Sequence, residues 1–430
     1  MKFIRRITEL FQRGTFFSHA LSLITGSAGA QLVSLVSMLL LTRLYNPAEF
    51  GEFTLFSAWS GFLTVIATAR YEVAVMLPKR EVEAANVVGL CTVIAIALSC
   101  LTMLAVAVAY LLSKIGVIRN FYGWLLLVPV SVFVAGVYQT LNYWMSRYKL
   151  FGLVAQNRIY QAVAISLLSI LFAYLSMGAY GLIIGSVIGQ AFSTLLLCVK
   201  MPIPLRRLMK QITFNRMKTL AKRHKDFPQI NSLHVFVDTI QSSAIPILIG
   251  NVFGATALGY FSFAVRIVKA PLGIIGSSIA QVLFQRVSEQ YSMNQDMRPT
   301  IRSILIISAK ITLPVFILIS IFAPDAFVIL FGEKWREAGR YAVIMTPWMA
   351  AGFFASVLSQ LPIVFNMQKR VFLLSLLGNG LMLLSIFAGM YFWNEIRAAL
   401  MLWSLLLTIY MLYVIHWTYQ LARYPRGARA

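Results

Sequence analysis

The sequence predicts an all-α polytopic membrane protein with about 12 transmembrane helices. Apolar residues make up 59% of the 430-residue chain, and its mean hydropathy is +0.78. Apolar stretches recur at the length of about 20 residues that a helix needs to cross a hydrocarbon core of roughly 30 Å. Lys and Arg are concentrated in alternate connections between these stretches, which is the distribution that the positive-inside rule describes.

The apolar stretches and the charges between them define the predicted topology. The first basic segment is the N-terminus and the last is the C-terminal tail, so both termini are predicted to be cytoplasmic. The three cysteines, Cys91, Cys100 and Cys198, lie inside apolar stretches and have no metal-ligand spacing, so neither a metal nor another cofactor is predicted. The predicted spans are 17–41, 53–77, 85–112, 122–145, 153–175, 180–199, 230–252, 256–284, 301–323, 340–365, 371–393 and 397–420.

A basic segment predicts the division of the chain into an N-terminal six-helix lobe (1–199), a cytoplasmic linker (200–228) and a C-terminal six-helix lobe (229–430). The linker holds nine of the Lys and Arg residues in a chain of net charge +23. We expect it to lie on the cytoplasmic leaflet as an amphipathic helix, with Leu208, Ile212 and Leu220 on its apolar face. No aromatic platform accompanies its charges, which argues against nucleic-acid binding.

The two halves show a weak internal repeat. A shift of 208 residues aligns Gly51 with Gly259 and Phe53 with Phe261. Internal repeats are common in membrane transporters. The same shift aligns Arg266 with Ala58, so the cation at this position belongs to the second half alone.

The stretch 256–285 contains the most informative charges. Arg266 and Lys269 share a helix face with small or hydroxylated residues, namely Gly259, Ser262, Gly273, Gly276 and Ala280. Arg266 lies roughly 15 Å from one end of the predicted span. A charge at this depth costs at least about 3 kcal/mol and usually faces a cavity or a bundle interior. The pattern therefore favours a cavity that accepts an anion over cations that extend to the membrane surface.

Other charged residues inside predicted spans leave alternatives open. Asp238, with Asn231, His234 and Gln241, forms a polar face on the seventh span, where it either binds a coupling cation or forms a structural ion pair. Arg70, Glu72 and Arg158 lie near the cytoplasmic ends of their spans, so pairing within the bundle and extension to the surface are both open. Lys310 lies about ten residues into the ninth span and is a candidate cavity residue.

The sequence favours a carrier and not an enzyme. It contains no GxxxxGK[ST] motif for ATP, its external connections are short, and no catalytic constellation stands out.

Several segments resemble the Wzx-like polysaccharide-export flippases, a branch of the multidrug/oligosaccharidyl-lipid/polysaccharide exporter (MOP) superfamily. They are LTRLYNPAEFGEF at 41–53, ARYEVAVMLPKREVEAANV at 69–87, the stretch 226–289 and FGEKW at 331–335. The resemblance implies two six-helix lobes around a central cavity that opens alternately to each side. By position, it carries a substrate-binding role to Arg266, in VRIVKAPLG, and places Arg70 and Glu72 in ARYEVAVMLP. For Lys269, Arg158, Lys310 and Asp238 only the residue-level argument applies.

The resemblance implies a flippase that moves a polyprenyl-diphosphate-linked oligosaccharide across the bacterial inner membrane for synthesis of a surface polysaccharide such as O-antigen, lipopolysaccharide or exopolysaccharide. Its partners would be the lipid-linked glycan, membrane lipid and a polymerase or other assembly protein. The chemistry agrees, because Arg offers bidentate donors to phosphate. Arg266, Lys269, Lys310, Arg70 and Arg158 are the predicted substrate-binding residues, and Asp238 and Glu72 the coupling residues. The alternatives are a cation-coupled multidrug or metabolite exporter and a non-transporting assembly scaffold.

Overall fold

The computed structural model describes residues 16–422, apart from 116–120, 203–206, 208–209, 226 and 294. Within these residues every regular element is helical. The α-helices are α1 Phe16–Leu44, α2 Pro47–Thr64, α3 Tyr71–Ala74, α4 Glu81–Lys114, α5 Val128–Arg147, α6 Phe151–Tyr174, α7 Ala179–Val199, α8 Phe214–Arg223, α9 Ser232–Ser292, α10 Arg298–Phe331, α11 Arg336–Leu358, α12 Leu361–Val364, α13 Gln368–Ala388 and α14 Ile396–Leu421. Short 3₁₀ turns cover Gly123–Leu127 and Glu333–Trp335, and π turns cover Phe227–Asn231 and Gly389–Trp393.

Ten helical segments of the described residues are long and apolar enough to cross a membrane. The predicted count was twelve, and two local features account for the difference. The predicted spans 230–252 and 256–284 both lie in α9, which is interrupted only at Gly254 (φ 87°, ψ 167°). The predicted span 53–77 is broken, because α2 ends at Thr64 and α3 begins at Tyr71.

The break in the second predicted span has an unusual backbone. Ala69 and Arg70 both have positive φ, at 47° and 61°. This conformation is unfavourable for residues other than glycine, so the surrounding packing must hold it. The break turns the chain just before Glu72, the most deeply buried carboxylate of the described part.

The chain divides into two compact units, the first comprising Met1–Tyr45 and Glu52–Ile247 and the second Asn46–Gly51 and Leu248–Ala430. This division differs from the predicted one at 200–228, since the linker and the first part of α9 belong to the first unit. Within each unit the long helices pack in the same order. Helix α4 packs on α5, α5 on α7 and α6 on α7, and the second unit repeats this with α10 on α11, α11 on α14 and α13 on α14.

The linker is fixed to the protein by its apolar residues. Leu220 of α8 is 5% exposed and lies in a buried cluster with Tyr71, Trp144 and Met145. Ile212 fills the space beside Gly89 of α4, where a Cβ would meet it at 2.7 Å. Asn86 binds the backbone just before α8. Its side chain donates to the Gln211 carbonyl (2.9 Å) and accepts from the Thr213 N–H (2.8 Å). The sequence predicted that Ile212 and Leu220 face the bilayer, whereas in the structure both pack on protein. Leu208 lies outside the described residues.

A close crossing of two helix starts in the second unit supports the internal repeat. A Cβ at Gly259 would lie 1.8 Å from the Pro47 carbonyl oxygen, and a Cβ at Gly51 would lie 1.7 Å from the Ala255 carbonyl oxygen. Only glycine therefore fits at either position. Pro47 and Ala255 are related by the same 208-residue shift that relates Gly51 to Gly259, so the two contacts are equivalent under the repeat.

Aromatic side chains fix this end of the second unit. Trp335 is fully buried, with its ring centroid 4.2 Å from Phe263 and 5.1 Å from Phe50. The segment 331–335 therefore has a packing role, and its Trp335 contacts Phe263 in the part of α9 that follows the break at Gly254.

Candidate functional site

The two cations of α9 lie on the part of the helix that follows the break at Gly254. Arg266 comes 12 residues after that break, or roughly 18 Å along the axis, and Lys269 follows one turn later. Both side chains are exposed. Among the described side chains no carboxylate pairs with either one. Two unpaired, accessible cations in an apolar helix are suited to binding an anion.

Lys269 is held in place by an aromatic ring. Its ammonium lies 4.0 Å from the ring centroid of Trp348 in α11, a cation–π contact that stabilises by about 0.5–2 kcal/mol. Trp348 is itself 5% exposed and packs on Trp403 of α14 at 5.3 Å. The Lys269 ammonium therefore contacts a buried aromatic ring on one side, and its exposed side remains accessible to a ligand.

The small residues that share the predicted helix face with Arg266 and Lys269 differ in their surroundings. Gly276 packs against α11, where a Cβ would meet Ser356 at 3.0 Å, and Ala280 is buried. Gly259 forms the helix crossing described above. Gly273 has no neighbour within 4 Å of its Cβ position, and the same holds for Gly352 of α11. On this helix face, the free space therefore lies around Arg266, Lys269 and Gly273.

Arg158 lies in a polar pocket of the first unit. Its Nη1 donates to Ser27 Oγ at 2.5 Å, and the pocket has a volume of about 420 Å³. Ser27, Gln31 and Ser34 of α1 share this pocket with Arg158, whereas the neighbouring Gly26 packs closely on Ala155. The lining residues come from α1, α5 and α6 and are Ser27, Ala30, Gln31, Ser34, Tyr138, Arg158, Gln161, Ala162 and Ile165.

Arg70 and Glu72 form an ion pair at the break of the second predicted span. Arg70 Nη1 lies 3.2 Å from Glu72 Oε1, with the side chains 25% and 1% exposed. The Thr68 hydroxyl donates to the other carboxylate oxygen. Arg70 Nε is buried with no hydrogen-bond partner. Glu72 is therefore paired inside the protein, whereas a quarter of the Arg70 side chain remains exposed.

Lys310 lies in a groove of the second unit that α10 lines together with Tyr419 of α14. The groove also contains Arg298 and Arg302, and Arg298 is bound by the carboxylate of Asp296. Neither the contact of Trp348 with Lys269 nor the shared groove of Lys310 and Arg302 was predicted. The side chain of Asp238 lies outside the described residues.

The described residues form a helical fold with ten segments long and apolar enough to cross a membrane, and this fold is similar to those of several solved membrane-protein structures. The structure is similar to the lipid II flippase MurJ in an inward closed conformation (TM-score 0.66, 12% identity, covering 92% of this chain and 86% of that chain). It is also similar to an inward-facing multidrug resistance MATE family transporter (TM-score 0.57, 15% identity, 95% and 96%). A third similar structure is a MOP superfamily transporter from Pyrococcus furiosus, whose reversed binding-pocket polarity suggests a different function (TM-score 0.53, 14% identity, 94% of each chain).

The sequence itself identifies the family. Residues 40–340 match the family model described as polysaccharide biosynthesis protein, and the chain belongs to this family. The predicted relationship to the Wzx-like flippases is thereby confirmed. No curated protein matches the chain significantly.

Proposed function

We propose that the protein carries a polyprenyl-diphosphate-linked oligosaccharide from the cytoplasmic to the periplasmic leaflet of the bacterial inner membrane. The glycan would then enter the synthesis of a surface polysaccharide. Membership of the polysaccharide biosynthesis family and the MOP-type fold support a carrier in such a pathway. Twelve spans, two lobes that open alternately around a central cavity and cytoplasmic termini belong to this proposal.

The observation that carries the proposal is the pair of accessible cations on α9. A diphosphate carries about two negative charges and cannot cross hydrocarbon unaided. Arg266 supplies the bidentate donors that fit phosphate oxygens, and Lys269 supplies a point charge one turn away. Trp348 holds the lysine so that its ammonium is already in position when the diphosphate arrives.

The glycan requires a different surface, and the pocket around Arg158 provides one. Hydroxyl and amide groups of Ser27, Gln31, Ser34 and Gln161 line it, and such groups donate to and accept from sugar hydroxyls. In this proposal Arg158 contacts the sugar or its phosphate. Arg70 is engaged by Glu72, so it acts on substrate only when that pair opens, and Glu72 and Asp238 remain the proposed coupling carboxylates.

A cation-coupled multidrug exporter is the second candidate, because MATE transporters share the fold. A carrier of organic cations needs an acidic binding surface, since opposite charges attract and like charges repel. In the described part of the chain Arg266 and Lys269 face no carboxylate partner. The polarity at this site therefore favours an anionic substrate.

The deciding experiment replaces Arg266 in cells that depend on this protein for surface glycan. Loss of a charge-assisted hydrogen bond costs roughly 1.5–3 kcal/mol, or about a ten- to hundredfold loss of affinity. Arg266→Ala should cripple export while the protein still inserts, and Arg266→Lys should restore it in part. Arg286→Ala, at the exposed end of the same helix, is the matched control and should export normally.

A double variant separates substrate binding from a structural ion pair. If Arg266 only neutralises Asp238, then Arg266→Gln combined with Asp238→Asn should recover export, because no unpaired charge remains buried. If Arg266 binds the diphosphate, the double variant stays inactive. Surface glycan is measured at equal membrane levels of each variant. Normal export from Arg266→Ala would favour the scaffold role that the sequence also allowed.

A further inference from the structure

The groove beside Lys310 has a charge that the proposed transport site does not use. It has a volume of about 620 Å³ and is lined along α10 from Arg298 to Lys310, with Tyr419 of α14 at its side. Arg302 and Lys310 both line this groove and are both exposed. Every lining residue belongs to the second unit.

The groove has an excess of positive charge. Its single carboxylate, Asp296, is already bound to Arg298 through both oxygens, at 2.8 and 3.0 Å. Hydrogen bonds from Arg298 hold the pKa of Asp296 below its ordinary value, so the carboxylate stays charged and cancels Arg298 alone. Across the described residues no acidic side chain pairs with Arg302 or Lys310. Two cations are therefore free for a ligand.

The polarity of the groove changes along the helix axis as it does across a membrane surface. Arg302 and Ser303 are near the start of α10, and Lys310 lies eight residues, or roughly 12 Å, further in. Between them Ile306 and Ile307 are 45% and 53% exposed. Side chains lean toward the N-terminus of their helix, and a lysine stem can lie along apolar surface. The Lys310 ammonium can thus reach back toward Arg302 across the isoleucines.

We propose that this groove binds an anionic phospholipid. Arg302 and Lys310 hold the phosphate, the hydroxyls of Ser303 and Tyr419 contact the headgroup, and the upper acyl chain lies along Ile306. The groove opens on the side that the positive-inside rule assigns to the cytoplasm, where anionic lipid headgroups attract basic pockets between membrane helices. The inference is independent of the identity of the transported substrate.

The test measures lipid binding to the purified full-length protein by native mass spectrometry. Phosphatidylglycerol, which is anionic, is titrated against phosphatidylethanolamine, which has no net charge. Wild type should bind the anionic lipid preferentially. Arg302→Gln combined with Lys310→Gln should weaken phosphatidylglycerol binding at least about tenfold, as expected when charge-assisted hydrogen bonds are lost. Arg302→Lys combined with Lys310→Arg keeps both charges and should retain most of the binding.

The matched control removes two cations from the same side of the same unit. Arg286→Gln combined with Lys369→Gln makes an equal change in net charge outside the groove, at two exposed positions, and should bind as wild type does. Equal loss in both double variants would show nonspecific attraction and overturn the proposal. Equal binding of the two phospholipids would also overturn it.

Two further arms distinguish other sources of phosphate. A polyprenyl diphosphate that displaces phosphatidylglycerol only when Arg302 and Lys310 are intact would assign the groove to the transported carrier, as the sequence suggested for Lys310, and reject the phospholipid. Inorganic phosphate that displaces it at low concentration would indicate a general anion site. Lys310→Gln alone, at an exposed position, provides a variant that folds if the double variant does not, and it should still lower the affinity severalfold.

Discussion

The contribution of the Arg70–Glu72 ion pair to the stability of the fold can be tested quantitatively. At 3.2 Å and an effective dielectric constant of about 20, the gross attraction is roughly 5 kcal/mol. Removal of one partner from a buried pair typically costs about 3–5 kcal/mol, because the other charge is left without compensation. Arg70→Gln leaves Glu72, which is 1% exposed, in that position. We expect a loss of about 3 kcal/mol, at the lower end because Arg70 is a quarter exposed and partly screened.

The reverse substitution should be milder. Glu72→Gln keeps an acceptor for the Thr68 hydroxyl, and the Arg70 cation that it leaves without a partner still reaches solvent. We therefore expect a loss of stability of about 1–2 kcal/mol. The double variant Arg70→Gln with Glu72→Gln should recover to within about 1 kcal/mol of wild type, because neither charge remains. Arg80→Gln removes an exposed cation nearby and should change stability by less than about 0.5 kcal/mol.

Thermal unfolding in detergent, followed by tryptophan fluorescence, measures all four variants. For a unit of 150–250 residues each kcal/mol corresponds to roughly 2–4 °C, so Arg70→Gln should lower the midpoint by about 6–12 °C. The reasoning fails if Glu72→Gln is the more damaging single change, or if the double variant is no better than Arg70→Gln. If the double variant is stable but no longer exports glycan, Glu72 has a role in coupling beyond the pair.

Three further predictions concern other parts of the molecule. Gly259→Ala should lower stability by about 1–3 kcal/mol, since its Cβ meets backbone, whereas Gly352→Ala should be neutral or gain up to about 1 kcal/mol from helix propensity; equal stability of the two variants would contradict the helix crossing. Trp348→Leu removes the aromatic face from the lysine beside it and should reduce export by a factor of about 2 to 30, with unchanged membrane levels as the control. In a cysteine-free background, an impermeant thiol reagent applied to intact cells should label Lys334→Cys but not Lys210→Cys; labelling at position 210 would reverse the predicted topology.

Hydropathy predicted most of the helices, because a membrane helix must be apolar over its whole length. It did not predict the break between Thr64 and Tyr71, since the sequence there contains no glycine or proline and its positive φ angles depend on packing. The sequence pattern also predicted, wrongly, that the apolar residues of the linker face the bilayer. Ile212 and Leu220 are suited equally to lipid and to a protein groove, and only the presence of Gly89 and the Tyr71 cluster in the fold decides between these.

The candidate site shows the same limit. Helical periodicity predicts that Arg266 and Lys269 share one face, because that relation is local to one helix. It gave no indication of Trp348, which lies about 80 residues away in the chain and meets Lys269 only through helix packing. Arg158 was recognisable as a charge within a span, whereas its pocket required side chains from three helices.

The symmetric crossing of Gly51 and Gly259 has a consequence for how such a chain can arise. When two identical subunits meet on a twofold axis, each contact occurs twice with the roles exchanged, and the two glycine–carbonyl contacts have this property within a single chain. An ancestor with one copy of the turn would already have carried a self-complementary patch for pairing with itself. Covalent joining of two copies then permits what a homodimer forbids, which is a charge in one copy without its duplicate in the other. Arg266 and Lys269, which align with Ala58 and Gly61 under the repeat, are two charges of this one-sided kind.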